Sequence, residues 1–308
     1  MSKPRVLGLV GPTASGKSAL ALLAARALGG EIVCMDAMQV YRGMDIGTAK
    51  PTAREQALAR HHLLDVVDPD QPFSVAEYLL LARPAIEGIL ARGCLPVLCG
   101  GTGLYLRALS RGLSLGGTQG DPAIRERYRR LADSRGNEAV HAILAQRDPA
   151  AAARLHPNNL RRVIRALEVQ EVTGRPFSAQ TMPPDTDGPY DMRLFALDWP
   201  REQLYRRIDH RAIRMLDKGL AEEVRSLLAG GLSPDAQSMQ GLGYKELVPY
   251  LEGRATRERT AELLARRTRN YAKRQLTWFR ADARIRWLAG GGQQRDLLDI
   301  IKKEMEAE

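Results

Sequence analysis

Short apolar runs alternate with longer helical ones through the first third of the chain. Val6-Leu7-Gly8-Leu9-Val10 is a continuous apolar run closed by Gly11-Pro12, which predicts a buried strand. Ser18 to Leu28 is rich in Ala and Leu and closes on Gly29-Gly30, which predicts a helix. Ile32-Val33-Cys34-Met35 predicts a second strand ending at Asp36, and His62 to Val67 a third. Val75 to Ala91 predicts a helix. Pro96-Val97-Leu98-Cys99 predicts a strand running into Gly100-Gly101. Strands alternating with helices argue for a parallel sheet covered on both faces.

The texture changes after Gly112. Leu115 to Gly120 reads as a break, and residues 121–175 are Ala- and Arg-rich with no strand-like run. Met182 to Pro189 is a second break. Arg193-Leu194-Phe195-Ala196-Leu197 then predicts a strand that returns to the sheet, and residues 201–308 read as mostly helical. The expected organisation is a core in two parts, 1–117 and 191–308, around a helical insertion domain at 118–190.

Of the 308 residues, 44% are hydrophobic and 27% charged, enough apolar material for a core, which excludes a disordered chain. No apolar run approaches the ~18 residues of a membrane span. Met1 to Arg5 leads into the first strand without a signal-peptide pattern. Three cysteines, Cys34, Cys94 and Cys99, are an odd number and too few for a disulfide scaffold or a zinc site. These features lead us to expect a cytoplasmic protein with reduced thiols, and a monomer. The net charge of +10 is uneven: residues 254–286 carry +8, residues 125–175 carry +5, and the rest −3. Two basic segments on a slightly acidic body suit a polyanion such as a nucleic acid.

Gly11-Pro12-Thr13-Ala14-Ser15-Gly16-Lys17-Ser18 matches G-x-x-x-x-G-K-[ST] between a predicted strand and a predicted helix, the context the P-loop requires. Its glycines let backbone N–H groups of Gly11, Thr13, Ala14, Ser15 and Gly16 turn toward phosphate oxygens, and the helix N-terminus adds positive potential. Lys17 supplies a point charge and the Ser18 hydroxyl a ligand for Mg²⁺. The fold class is therefore α/β: a P-loop nucleotide-kinase-like parallel sheet flanked by helices, with an all-α insertion domain. Asp36, at the end of the second strand, faces the same crevice. It can bind Mg²⁺ through water or accept a proton from an attacking nucleophile. Thr102, in Gly100-Gly101-Thr102-Gly103, can donate to a phosphate or a leaving group. Arg207, Arg211 and Arg214 share one helix face and could close over a diphosphate. On these residues alone the P-loop's ligand stays open: a small-metabolite kinase, or an RNA-binding module with a structural P-loop, fits part of the pattern. The kinase reading leaves the two basic segments unexplained.

Longer strings decide between them. GPTASGKS (11–18), DAMQVYRGMDIGTAKP (36–51), GGTGLYLRAL (100–109), HPNNLRRVIRALEV (156–169), RIDHRAIRML (207–216), QGLGYKE (240–246) and KRQLTWFR (273–280) resemble the tRNA dimethylallyltransferases over nearly the whole chain. The resemblance implies a diphosphate that belongs to dimethylallyl diphosphate. It implies an acceptor that is the N6 amine of the adenosine 3′-adjacent to a tRNA anticodon, and Mg²⁺ as cofactor. It makes Asp36 the general base, with Thr13 to Ser18, Thr102 and Arg211 on the departing diphosphate. It makes Asp36, Ala37, Met38 and Gln39 one RNA-reading stretch, Arg161, Arg162, Val163, Ile164 and Arg165 a second, and Gly241, Leu242, Gly243, Tyr244, Lys245 and Glu246 a third. Lys273 and Arg274 line another side of the anticodon stem-loop. Tyr244 is expected to stack on a base, Gln39 to read a base edge, and Trp278 to be core. Ala37 departs from the family, where Ser often follows the Asp.

Overall fold

The computed structural model describes residues 3–111, 120–179 and 188–307. The break expected at Leu115–Gly120 lies almost wholly, and that at Met182–Pro189 mostly, outside the described residues, as does the domain edge between 117 and 118. The chain forms two compact units, Met1–Ser110 with Asp187–Glu308, and Arg111–Thr186.

The first unit opens with β1 (Arg5–Val10), α1 (Lys17–Ala27), β2 (Gly30–Cys34), α2 (Ala53–Leu58), β3 (His61–His62), α3 (Val75–Ala91), β4 (Leu95–Gly100) and α4 (Gly103–Ser110). Capping boxes start α2 and α3: Thr52 with Glu55, and Ser74 with Glu77, satisfy backbone donors that the first turn leaves open. The second unit is helical, with α5 (Pro122–Arg135), α6 (Asn137–Arg147), α7 (Pro149–Ala152) and α8 (Leu160–Thr173). Asp121 before Pro122, and Asp148 before Pro149, cap α5 and α7 with their carboxylates. The chain returns through β5 (Asp191–Asp198), α9 (Arg201–Asp217), α10 (Leu220–Ala229), α11 (Val248–Leu251), α12 (Arg257–Arg280), β6 (Ile285–Ala289) and α13 (Gln294–Glu306).

Among the described residues the six strands are all parallel, in the order β3-β2-β4-β1-β5-β6. This is the α/β class expected from the alternation of apolar runs. Leu7, Leu9, Ile32, Val97 and Phe195 on the sheet meet Leu20, Ala21 and Ala24 of α1 and Leu297 and Ile301 of α13. Each large buried aliphatic side chain there contributes roughly 1.5–3 kcal/mol. Because β1 is flanked by β4 and β5, the loops after β1 and β4 diverge around a crevice at the C-terminal edge, where such sheets bind ligands.

One expectation changes. The third strand is not 62–67 but the residue pair His61–His62, followed by one bridge from Val67 to Tyr41. Leu63 and Asp65 adopt φ of 65° and 54°, which breaks an extended run. The tail is mostly helical as expected, with one strand the sequence reading did not place, Ile285–Ala289, which pairs with β5. Its buried residues, Ile285 and Leu288, are three apart, a spacing that helices share. Among the described residues no helix is long and apolar enough to cross a membrane.

In the second unit, α8 buries Val163, Ile164, Ala166 and Leu167 against Tyr128, Val140 and Leu144. Several of its arginines hold internal carboxylates. Arg125 and Arg165 both pair with the fully buried Glu168, at 2.6 Å each. Arg127 and Arg147 pair with Glu171. Part of the positive charge of 125–175 is therefore structural.

Candidate active site

The P-loop runs from the end of β1 into α1. Gly11 (φ 124°), Ala14 (φ 62°) and Gly16 (φ 98°) all take positive φ, the conformation that turns successive amides to one side. Ala14 bears that strain despite its Cβ, and two side chains of the C-terminal half secure the segment. Trp199 Nε1 donates to Ser15 O (2.8 Å), and Arg207 Nε donates to Ala14 O (2.8 Å). The Arg207 guanidinium lies over the Trp199 ring at 4.3 Å. With the Ala14 and Ser15 carbonyls held, the loop conformation is fixed; the Thr13 N–H, expected to turn toward phosphate, is taken by Gln275 instead.

A second brace comes from α12. The Thr13 N–H donates to Gln275 Oε1 (2.9 Å), and Gln275 Nε2 donates to Gly101 O (2.9 Å). One buried amide thus joins the P-loop to the turn after β4. A Cβ on Gly101 would lie 2.2 Å from Gln275 Nε2, so glycine is required there. Trp278, one turn on, is half-buried against Gly103, with Arg107 stacked on it at 4.2 Å, in keeping with a packing role.

Asp36 follows β2 at the same edge. Its Oδ1 accepts from Met38 N–H (2.9 Å), which orients the carboxylate. Thr102 Oγ1 accepts from Ala37 N–H (3.0 Å), and Thr102 N–H donates to Met35 O (3.2 Å). An accepting hydroxyl keeps its own proton for donation. The β2–β4 junction is so tight that a Cβ on Gly100 would lie 2.0 Å from Met35 O.

Burial pushes the Lys17 ammonium and the Arg211 guanidinium down from their ordinary values, and the Asp36 carboxylate pushes both back up. Two buried cations, from α1 and α9, therefore lie within the field of one carboxylate. Lys17 Nζ reaches Pro12 O at 3.2 Å. Ser18 Oγ stands 4.0 Å from Cys99 Sγ, on the strand between β1 and β2. Burial, then Asp36, pushes the Tyr105 and Tyr271 hydroxyls up, so both stay protonated at neutral pH. Arg207 and Arg214 are exposed, and Arg211 is the member of that arginine row which turns inward.

The RNA-reading stretches divide between the units. Residues 36–39 and 241–246 lie in the first and touch: a Cβ on Gly241 would lie 2.4 Å from Met38 Cε. Residues 161–165 lie on α8 of the second. There Arg161 and Arg162 are exposed, Val163 and Ile164 are core, and Arg165 is engaged with Glu168. Lys245, Lys273 and Arg274 are exposed, and Leu242 is half-buried. Gly243 has φ 99°, and its N–H donates to buried Glu246 (2.9 Å).

Two expected roles are corrected. Gln39 does not present its amide to a base: Oε1 accepts from Cys34 Sγ (3.2 Å), and Nε2 donates to Thr48 O (3.1 Å) and Ala49 O (3.2 Å). Tyr244 is fully buried and its hydroxyl donates to Glu223 (2.7 Å), so its ring offers no face for stacking. Gln275, Trp199 and Glu223 are supports that no motif in the sequence marks. For Gln275 a signal existed: it falls in phase with the buried Leu264, Ala272 and Phe279 of α12, where a polar residue needs a partner.

The chain can be compared with known proteins at this point. The IPP transferase family profile matches residues 39–282, and the isopentenyl transferase profile matches residues 4–68. A tRNA dimethylallyltransferase 1 from Trichlorobacter lovleyi is 51% identical over 288 residues, covering 93% of this chain and 94% of the relative. The crystal structure of a full-length tRNA isopentenylpyrophosphate transferase from Bacillus halodurans superposes with a TM-score of 0.73 at 42% identity, covering 99% of this chain and 97% of that one. A eukaryotic dimethylallyltransferase captured acting on tRNA reaches a TM-score of 0.84 at 26% identity, covering 98% of this chain and 79% of that one. A profile that matches most of the chain, and half-identical relatives of the same length, establish that the chain belongs to the IPP transferase family.

Proposed function

We propose that the protein transfers the dimethylallyl group of dimethylallyl diphosphate to the N6 amine of the adenosine 3′-adjacent to the anticodon of tRNA, releasing diphosphate. The observation that carries this reading is the P-loop itself, with Gly11, Ala14 and Gly16 at positive φ after β1 and buried Lys17 opening α1, together with Asp36 oriented by the Met38 N–H at the end of β2 on the same sheet edge. Amides and cations suit a group that gains negative charge as it leaves, and such preorganised donors are usually the largest part of catalysis. A carboxylate in the same crevice suits an acceptor that must lose a proton.

In the transfer, the allylic C–O bond of the donor breaks and the adenine nitrogen forms the new C–N bond. The amine proton passes to Asp36, and both bonding electrons of the C–O bond leave with diphosphate. The P-loop amides, Lys17 and Arg211 hold the leaving group, and the Thr102 hydroxyl donates to it. The Ser18 hydroxyl, in the first turn of α1 beside the cradle, offers a hard oxygen that fits Mg²⁺ shared with substrate phosphates. Bound there, Mg²⁺ would neutralise charge on the diphosphate. The target adenosine must be splayed from its loop to reach the crevice. In this reading the enzyme works as a monomer in the cytoplasm, beside its RNA.

The reaction tests it directly. The protein is mixed with Mg²⁺, dimethylallyl diphosphate and an unmodified anticodon stem-loop, and the RNA is weighed by mass spectrometry. One added five-carbon prenyl group, lost with Lys17→Ala, is expected. No added mass, with ATP consumed on a small metabolite instead, would favour a kinase.

Exposed Arg162 on α8 tests the RNA-facing role of the second unit. Arg162→Ala is expected to raise the KM for RNA and to lower the slope of its logarithm against log salt by about 1, since one phosphate contact is removed. Donor affinity should not move. An unchanged slope would take Arg162 off the RNA.

A further inference from the structure

Three consecutive backbone N–H groups converge on one side chain. Asp45 and Ile46 donate to Glu223 Oε2 (2.9 and 2.7 Å), and Gly47 donates to Glu223 Oε1 (3.2 Å). The Tyr244 hydroxyl donates to the same Oε1 at 2.7 Å. Successive amides of this kind make an anion-binding hollow, and here the chain fills it with its own carboxylate from the first turn of α10. Gly47 lets the Tyr244 ring lie on the backbone, because a Cβ would sit 2.6 Å from it. The rest of the loop is equally constrained. Lys50, almost fully buried, donates to Tyr41 O (2.8 Å) and pairs with Asp45 and Asp65. Gln39 holds Thr48 O and Ala49 O. Glu223 is where the stretch 36–50 and the stretch 241–246 are tied together.

We propose that Glu223 is a positioning residue that sets the spacing of these two stretches, and through it the affinity for the RNA acceptor, without acting on the donor. This rests on the proposed RNA substrate. A carboxylate accepts from all four donors. The isosteric amide of Glu223→Gln keeps one accepting oxygen and turns an NH₂ toward backbone N–H groups, so bonds are lost and donors face each other.

Steady-state kinetics with RNA varied at saturating donor, and donor varied at saturating RNA, separate the possibilities. Glu223→Gln is expected to raise the KM for RNA about tenfold or more, with kcat and the donor KM within about twofold. Tyr244→Phe, which removes one of the four bonds, should shift the RNA KM the same way by about threefold. An RNA KM equal to wild type in both variants would overturn the proposal, as would kcat and both KM values moving together. Should Glu223→Gln fail to fold, Tyr244→Phe decides alone on the same terms. A wild type that transfers no prenyl group to RNA would overturn the proposed function and this inference with it. An active wild type, with the RNA KM unmoved in the variants, overturns the Glu223 role only.

Discussion

Asp36→Asn is expected to slow prenyl transfer by about 10²–10⁴-fold, the range that positioned proton acceptors supply. Asparagine keeps an oxygen for the Met38 N–H, so the turn after β2 should survive. What it removes is the group that takes the amine proton. An amine conjugated to a purine is a weak nucleophile, so proton loss must accompany bond formation. Single-turnover transfer with both substrates saturating reads the chemical step. Equilibrium binding of the stem-loop and of the donor should change only a few fold. Loss of RNA affinity in step with the rate would instead make Asp36 a structural residue.

Gln275→Leu is expected to cut kcat/KM for the donor by about 30–100-fold, although Gln275 is not expected to touch it. The substitution preserves volume but strands the Thr13 N–H and Gly101 O, at a cost in stability of about 1–3 kcal/mol. The larger consequence is geometric. Gln275 takes up the Thr13 N–H at the start of the diphosphate cradle, and Gly101 precedes the Thr102 hydroxyl; an ångström of drift in either moves the donors that follow off the leaving group. Gln275→Glu separates the two bonds, since it still accepts from Thr13 N–H but sets a carboxylate against Gly101 O. Donor titration by calorimetry, with urea unfolding of the same variants, checks both parts. Wild-type donor affinity and stability in Gln275→Leu would sink the bracing role.

Most of the sheet could be read from the chain because each of its inner strands is a continuous apolar run. Val6–Val10, Ile32–Met35, Pro96–Cys99 and Arg193–Leu197 all fall within observed strands or one residue beyond. The strand misread at 62–67 and the strand not foreseen at β6 are the two edges of the sheet, and both are buried on few positions. Edge pairing depends on a neighbour, and local composition carries little of it. The phosphate site was legible for a similar reason, since P-loop chemistry needs a fixed local spacing of Gly, Lys and Ser; the family was legible from the longer strings, such as DAMQVYRGMDIGTAKP (36–51) and KRQLTWFR (273–280).

Roles within the site were less legible. Gln39 and Tyr244 were expected to meet RNA from their residue types, and both turn inward to hold the loops they belong to. Arg165 was expected to meet RNA and also pairs with buried Glu168. A side chain's hydrogen-bond partner can lie anywhere in the chain, and Gln275 meets Thr13 across 262 positions.

Local sequence therefore specified the α/β class, the phosphate cradle and Asp36 at its rim, because period, turn geometry and motif spacing act over a few residues. Folding assigned the remaining work. It made Gln275, Trp199 and Glu223 the supports of loops far away in the chain, and it buried Lys17 and Arg211 within the field of one carboxylate. Those roles depend on burial and on long-range partners, which exist only once the sheet and its helices have packed.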